Sequence, residues 1–333
     1  MIALLFASLA SAADHHVVRP GETLATIAAA SGGAYTADAL RERNSLPAGA
    51  EPAVGVVLRL PGDTPDPGGT VLAASGTGTV TSRGGTRSPL VEGMVLEAGS
   101  LVCTAAGSYA TLRVGTDLAT HEHDEVSLLG GTCVRLEEAS STAGRRSSVL
   151  KVDQGSIAVR NADTASGVIT VVTEGGVTTS QGGGFRLTVE GSSTRTEALD
   201  RGLSVLGGGV DQSLDAGYGS RVRAGEAPSA PVALLRPGTP LAPVGVTPVL
   251  LANFSWAPVD RALSYRVEIA TAADFSDLVV VEDVAQEEWL PEVLMLPYRV
   301  PGLWWRVAAV DRTGFVGFPS AAADIRVPPS ITP

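Results

Sequence analysis

A mainly-β, multidomain fold is predicted by three features of the sequence. Apolar residues recur with period 2 in short runs separated by glycine pairs. Helical spacing is convincing in one stretch alone, His15 to Gly62. Glycine and proline are abundant (39 and 21 of 333 residues) while aromatic residues are 5%, which favours many short strands and turns over long helices. A hydrophobic share of 44% is enough to bury real cores, and Lys+Arg 24 against Asp+Glu 35 leaves a net charge of −11. That balance lacks the basic footprint of a nucleic-acid binder, so none is expected as a partner.

The chain is divided by its breakers. Residues 1–12 run from an apolar stretch, Met1 to Leu9, into Ala10-Ser11-Ala12-Ala13, and read as a secretory signal peptide cut after Ala12, although no basic n-region precedes it. Its apolar run is too short to span a bilayer, and no later stretch of ~18 apolar residues appears, so an exported protein without a transmembrane segment is expected. Residues 13–62 form the first domain and 63–70 a Pro/Gly linker. Residues 71–223 form the second domain, 224–248 a proline-rich linker expected to be semi-extended and exposed, and 249–333 the third. All four tryptophans lie beyond the second linker.

Cys103 and Cys133 are the two cysteines, each in a strand-like context. An even count in an exported chain reads as one disulfide, with two free buried thiols as the alternative.

In the first domain, Leu24, Ile27 and Ala28 stand at i, i+3, i+4 behind Thr23 as N-cap, and Leu40 anchors a second short helix after Thr36. Valine-rich strands at 16–19 and 56–60 flank them, a minimal βααβ unit of α+β type. The order His16-Val17-Val18-Arg19-Pro20-Gly21-Glu22-Thr23-Leu24, Ile27-Ala28, Leu40, Asn44 and Val54-Gly55 through Leu60-Pro61 resembles the LysM domain. It departs from the family at Val56, where glutamine is usual, and in its Pro47–Pro52 loop. The resemblance implies binding of N-acetylglucosamine-containing glycan, in a bacterial envelope peptidoglycan. Backbone groups of Gly21, Glu22, Thr23 and Leu24 would meet the N-acetyl group from one side, and Asn44, Ser45, Leu46 and Pro47 from the other. The bland alternative is that Gly21 and Asn44 serve a turn and a cap.

The second domain is expected to be all β, with strands at 109–114, 127–129, 134–136, 149–152, 156–159, 168–172, 185–189 and 203–206. Ala110, Leu112 and Val114 are assigned to the inner face. Gly78-Thr79-Val80, Pro89-Leu90-Val91-Glu92-Gly93, Leu96 to Ser100, Gly107 to Val114, Val152-Asp153-Gln154-Gly155-Ser156-Ile157, Gly217 and Gly219 together resemble the FecR domain, with Gly183-Gly184-Phe185 a departure. FecR proteins regulate a sigma factor across the inner membrane, which implies a membrane helix that this sequence does not display. The fold is therefore carried over and the signalling role kept as an alternative.

The third domain, with Trp256, Tyr265-Arg266-Val267 and Trp305-Arg306-Val307, resembles a fibronectin type III-like sandwich. Trp256, Tyr265 and Trp305 are assigned to its core, and the Tyr-x-Val and Trp-Arg-Val strands to opposite sheets. A carbohydrate-stacking role for Trp289 or Trp304 is the alternative to burial.

Chemistry is sparse. His121, His123 and Glu125 would share one face of a strand, as a metal site requires, but a solvated edge or turn whose charges blunt aggregation is the preferred reading, and no metal or cofactor is expected. No nucleophile or P-loop motif occurs, so no catalytic residue is nominated and an enzyme is not expected. The expectation is a non-catalytic envelope protein. It would hold peptidoglycan through the first domain and present the other two as spacers or docking modules for an envelope protein of unknown identity. The alternatives are a FecR-type envelope sensor and an accessory protein of a peptidoglycan hydrolase.

Overall fold

The protein is mainly β and multidomain, as seen in a computed structural model that describes residues 15–61, 68–115, 122–142, 145–161, 167–246, 253–291 and 302–326. The expected signal peptide lies outside these residues. No described helix is long and apolar enough to cross a membrane.

The N-terminal unit runs β1 (His15–Val17), α1 (Leu24–Ala30), α2 (Ala37–Arg43) and β2 (Val57–Arg59), with β1 and β2 antiparallel. Each helix starts where a threonine side chain accepts a backbone N–H: Thr23 from Thr26, and Thr36 from Ala39. Leu24, Ile27, Leu40 and Leu58 close a small core. The expected βααβ order is present.

The central domain is a sandwich of two sheets that share one strand. Sheet I runs β5 (Arg87–Pro89), β4 (Gly78–Thr81), β7 (Leu101–Thr104), β10 (Cys133–Thr142), β11 (Arg145–Asn161), β12 (Gly167–Val172), β13 (Val177–Ser180), β16 (Leu203–Gly207) and β17 (Val210–Leu214). Sheet II runs β6 (Val95–Leu96), β3 (Gly69–Ser75), β8 (Tyr109–Val114), β9 (Asp124–Leu128), then β11 again, β14 (Gly183–Glu190), β15 (Ser193–Ala198), β18 (Tyr218–Arg223) and β19 (Val232–Ala233). The residues expected as two strands, 149–152 and 156–159, are parts of the single 17-residue β11. The strand changes sheet at Gly155, whose φ of +90° is open to glycine at little cost. A Cβ there would also fall 2.4 Å from the Thr132 hydroxyl. Ala110, Leu112 and Val114 face the core with Val126, Leu150, Ile157 and Phe185, as their alternation requires.

The C-terminal domain packs two sheets. One holds β20 (Pro240–Ala242), β22 (Phe254–Trp256) and β25 (Glu288–Trp289). The other holds β21 (Gly245–Val246), β28 (Ala323–Arg326), β26 (Gly302–Val310), β23 (Ser264–Ala270) and β24 (Leu278–Val284), with β27 (Val316–Pro319) on β26. Trp256, Tyr265 and Trp305 lie in its core, as assigned. The Tyr-x-Val and Trp-Arg-Val strands are neighbours in one sheet rather than opposed, with Val267 beside Val307. Trp289 packs against this core, and Trp304 against Phe275, Leu278 and the central domain's Tyr109 and Leu129, so both are partly buried by protein.

The 224–248 stretch is not a free tether. β19 extends sheet II, Leu234 and Leu235 are buried, and β20 and β21 join the two C-terminal sheets. All three strands are sheet edges, where a residue lacking an N–H does not interrupt a ladder; Pro240 lies in β20, and Pro228, Pro231, Pro237 and Pro243 lie between the strands. The first linker is also shorter than expected, since β3 begins at Gly69; residues 62–67 lie outside the described residues.

Both outer faces of the sandwich are occupied. The N-terminal unit lies on sheet I, where His15 meets Thr170 and Ser147, Arg59 pairs with Glu138, and Arg19 with Asp211. The C-terminal domain lies on sheet II. Arg186 Nη2 donates to the Gly317 carbonyl (2.5 Å), and the Val316 N–H donates to Glu197 Oε1 (3.3 Å). Phe315 covers Gly219, where a Cβ would stand 2.6 Å from the ring.

Candidate functional site

The two loops nominated as a glycan site are the β1–α1 turn, Gly21 to Leu24, and the start of the α2–β2 loop, Asn44 to Pro47. Gly21 holds φ +82° with open space where a side chain would project. The turn is knit by Glu22, whose carboxylate accepts from the Arg19 N–H (2.8 Å) and lies 2.6 Å from His16 Nε2. Thr23 is the helix cap, and the Leu24 side chain is fully buried. Across from it, Ser45 takes a left-handed φ of 53°, Leu46 leans on the core, and Ser45 and Pro47 are exposed.

Asn44 serves the fold. Its Nδ2 donates to the Leu40 and Arg59 carbonyls (2.8 and 2.9 Å), and its Oδ1 accepts from the Arg59 N–H (2.7 Å). The side chain thus takes the place of a neighbouring strand beside β2.

The N–H groups of these loops are largely spent internally. Those of Glu22, Asn44, Ser45 and Leu46 donate to carbonyls, and that of Thr23 to the Thr26 hydroxyl. The Leu24 N–H donates to Glu51 Oε2 (2.7 Å), which ties the two loops together. Glu51 has no sequence signal that marks it. What the loops present outward is the bare backbone at Gly21, the Ser45 hydroxyl and the apolar ring of Pro47. Such groups suit a neutral, hydroxyl- and amide-bearing ligand more than a charged one.

Of the histidine cluster, His123 and Glu125 lie together at the start of β9. Asp124 is fully buried with Arg146 (3.1 Å), while on the other side of the strand His123 lies 3.4 Å from Glu125, which also pairs with Arg160. His121 lies outside the described residues. Alternation along β9 sends Asp124 inward and its neighbours outward, so the acids serve separate ion pairs. Among the described residues no group of His, Cys, Asp or Glu is arranged to hold a metal.

Cys103 and Cys133 form a disulfide. They are register partners on β7 and β10, on the outer face of sheet I, while Val102 and Val134 point into the core. The bond is consistent with export.

A cleft of ≈ 450 Å³ opens between sheet II and the C-terminal domain, lined by Ser156, Thr188, Arg195, Ser264, Arg266 and Asp283 among others. Of its three arginines, Arg195 is held by Glu190 (3.0 and 2.6 Å) and Arg266 by Asp283 (2.8 and 2.8 Å), and Arg312 also lines the cleft. Beneath it lie Arg186 and Glu197, both buried. Burial pushes the Glu197 carboxyl up, against the pull of Arg186. Burial likewise lowers Arg186, against the pull of Glu197.

No protein-family model and no curated protein matches the sequence. Among solved structures, the chain is similar to a "putative anti-sigma factor" from Parabacteroides distasonis, with 14% identity, a TM-score of 0.32, and 40% of this chain and 59% of that one covered. A second structure of that description, from the same organism, matches with 13% identity and a TM-score of 0.32, over 45% of this chain and 78% of that one. The chain thus spans about 59% of the length of the first of these proteins.

Proposed function

We propose that this is a non-catalytic protein of the cell envelope that holds N-acetylglucosamine-containing glycan, peptidoglycan in a bacterial wall, through a LysM-like N-terminal unit. The observation that carries the reading is the exposed Gly21 turn. A glycine with φ +82° and no neighbour over its α-carbon lets a sugar approach the backbone directly. It sits in the βααβ order that the sequence resemblance implies, and docking on sheet I leaves Gly21, Ser45 and Pro47 uncovered. The central FecR-like sandwich and the fibronectin-like domain then act as a body of fixed shape behind the glycan-binding unit. The disulfide supports an oxidising, extracytoplasmic setting.

The test is co-sedimentation of the mature chain with purified peptidoglycan at low and high salt. The wild type should pellet at both salt concentrations. A chain that stays in the supernatant moves the FecR-type sensor reading to first place.

A further inference from the structure

We infer that His15 is an acid-sensitive latch that holds the N-terminal unit against the sandwich and releases it when the ring gains a proton. The inference stands whether or not the unit binds glycan.

His15 is the first residue of β1 and is 5% exposed. It is buried by the neighbouring domain. Nε2 lies 2.8 Å from Thr170 Oγ1 on β12, and Nδ1 2.5 Å from Ser147 Oγ on β11. Two hydroxyls, each able to donate or accept, complement a neutral ring with one N–H and one bare nitrogen. Neither supplies the negative charge that a buried imidazolium needs.

The charged groups around the ring do not supply it either. His16 and Arg19, on the same strand and the turn after it, line the small cavity beside His15 together with Asp211 from β17. Asp211 already faces Arg19 at 3.4 Å. Across β2 the register partner is Arg59, bound to Glu138 of β10. His16 is bound to Glu22. Among the described residues each of these carboxylates already faces an arginine or a histidine, and burial, with His16 adding to it, lowers the His15 ring to about 4.

The rest of the interface mixes apolar and polar contacts: a Cβ at Gly55 would stand 3.9 Å from the buried side chains of Leu206 and Val177. Arg59–Glu138 and Arg19–Asp211 are ion pairs whose arginines are 46% and 57% exposed. Pairs of that kind contribute little and are screened by salt.

The sign follows from linkage. The free unit, with an ordinary ring near 6.5, takes up the proton more readily than the docked one. Docking is at full strength above pH ~6.5 and weakens as pH falls towards ~4, by roughly 30-fold at pH 5 and approaching 300-fold below pH 4.

The experiment is ¹⁵N relaxation on the full chain at pH 7 and pH 4.5. The variants are His15→Gln, which cannot titrate but keeps a donor and an acceptor, and His15→Lys, which is charged throughout. Wild-type amides of residues 15–61 should tumble with the whole molecule at pH 7 and independently of it at pH 4.5. His15→Gln should stay docked at both, and His15→Lys should be released at pH 7 with the other domains unchanged. The inference is overturned if wild type stays docked once the His15 ring is protonated, or if His15→Gln is released at the same pH as wild type. Should His15→Lys unfold the unit, the ring's own NMR titration decides: a midpoint near 6.5 rather than between that value and about 4 also overturns it.

Discussion

Tyr109 is joined to Val281 twice: the Val281 N–H donates to the phenol oxygen at 2.8 Å, and the phenol donates to the Val281 carbonyl at 3.4 Å. Val281 lies on β24, the edge strand of its sheet, so the phenol of one domain stands where the next strand of the other would be. Tyr109→Phe keeps the ring and leaves both main-chain groups unsatisfied. The expected cost is about 1–3 kcal/mol, read from urea denaturation. An unchanged midpoint would place little weight on this contact.

Arg186 and Glu197 are register partners on β14 and β15, buried together under the C-terminal domain. Arg186→Met strands a buried carboxylate, and about 3–5 kcal/mol of stability should be lost. Adding Glu197→Leu removes the stranded charge and should restore most of that loss. Equal unfolding midpoints for the single and double variants would argue that the two charges are not coupled.

The disulfide closes a loop that leaves sheet I, builds β8 and β9 of sheet II, and returns. Replacing both cysteines by serine should lower stability by about 3.5 kcal/mol for this separation of 30 residues. Thiol labelling of denatured, unreduced protein should find no free cysteine, and stoichiometric labelling of both would contradict the bond.

Gly21→Val and Asn44→Ala should separate two kinds of loss. Valine at φ +82° is strained and projects into the space a sugar needs, so peptidoglycan co-sedimentation should vanish while the other domains stay folded. A wild-type Kd of ~10⁻⁴ M, about −5.5 kcal/mol, is expected for so small a site. Asn44→Ala removes the three hydrogen bonds that hold β2 and should destabilise the N-terminal unit by about 1–3 kcal/mol. If Asn44→Ala lowered binding with no change in that unit's melting, Asn44 would be a ligand contact after all.

Proteolysis offers a fifth check. The sequence suggests that 224–248 is cut first. With β19, β20 and β21 paired and Leu235 in the C-terminal core, native protein should resist cleavage there. An early cut releasing a folded tryptophan-containing fragment would show that the pairing does not hold the segment.

Where one face of an element meets a local core, its periodicity was readable: Leu24-Ile27-Ala28, Ala110-Leu112-Val114 and the Trp256–Tyr265–Trp305 core all fall where their spacing puts them. Polar strands were not. Ser193–Ala198 has the composition of a loop, because Arg195 and Glu197 face a second domain rather than the core beneath. Prolines in sequence signal breaks, since edge pairing depends on which neighbour arrives from far along the chain. At the candidate site the two loops were named from the sequence. The tie between Leu24 and Glu51 was not, because a single exposed glutamate carries no pattern.

The shared strand β11 also has a mechanical consequence. The N-terminal unit is seated on one sheet and the C-terminal domain on the other, yet both sheets are stitched to the same covalent backbone on either side of Gly155. A pull between the N-terminal unit and the C-terminal domain would load that backbone on both sides of Gly155. In a sandwich without such a strand, the two layers are joined only by the loops that cross between them and by the packing of their inner faces. Here the layers cannot separate along that side without tearing β11 from its neighbours, residue by residue in both sheets.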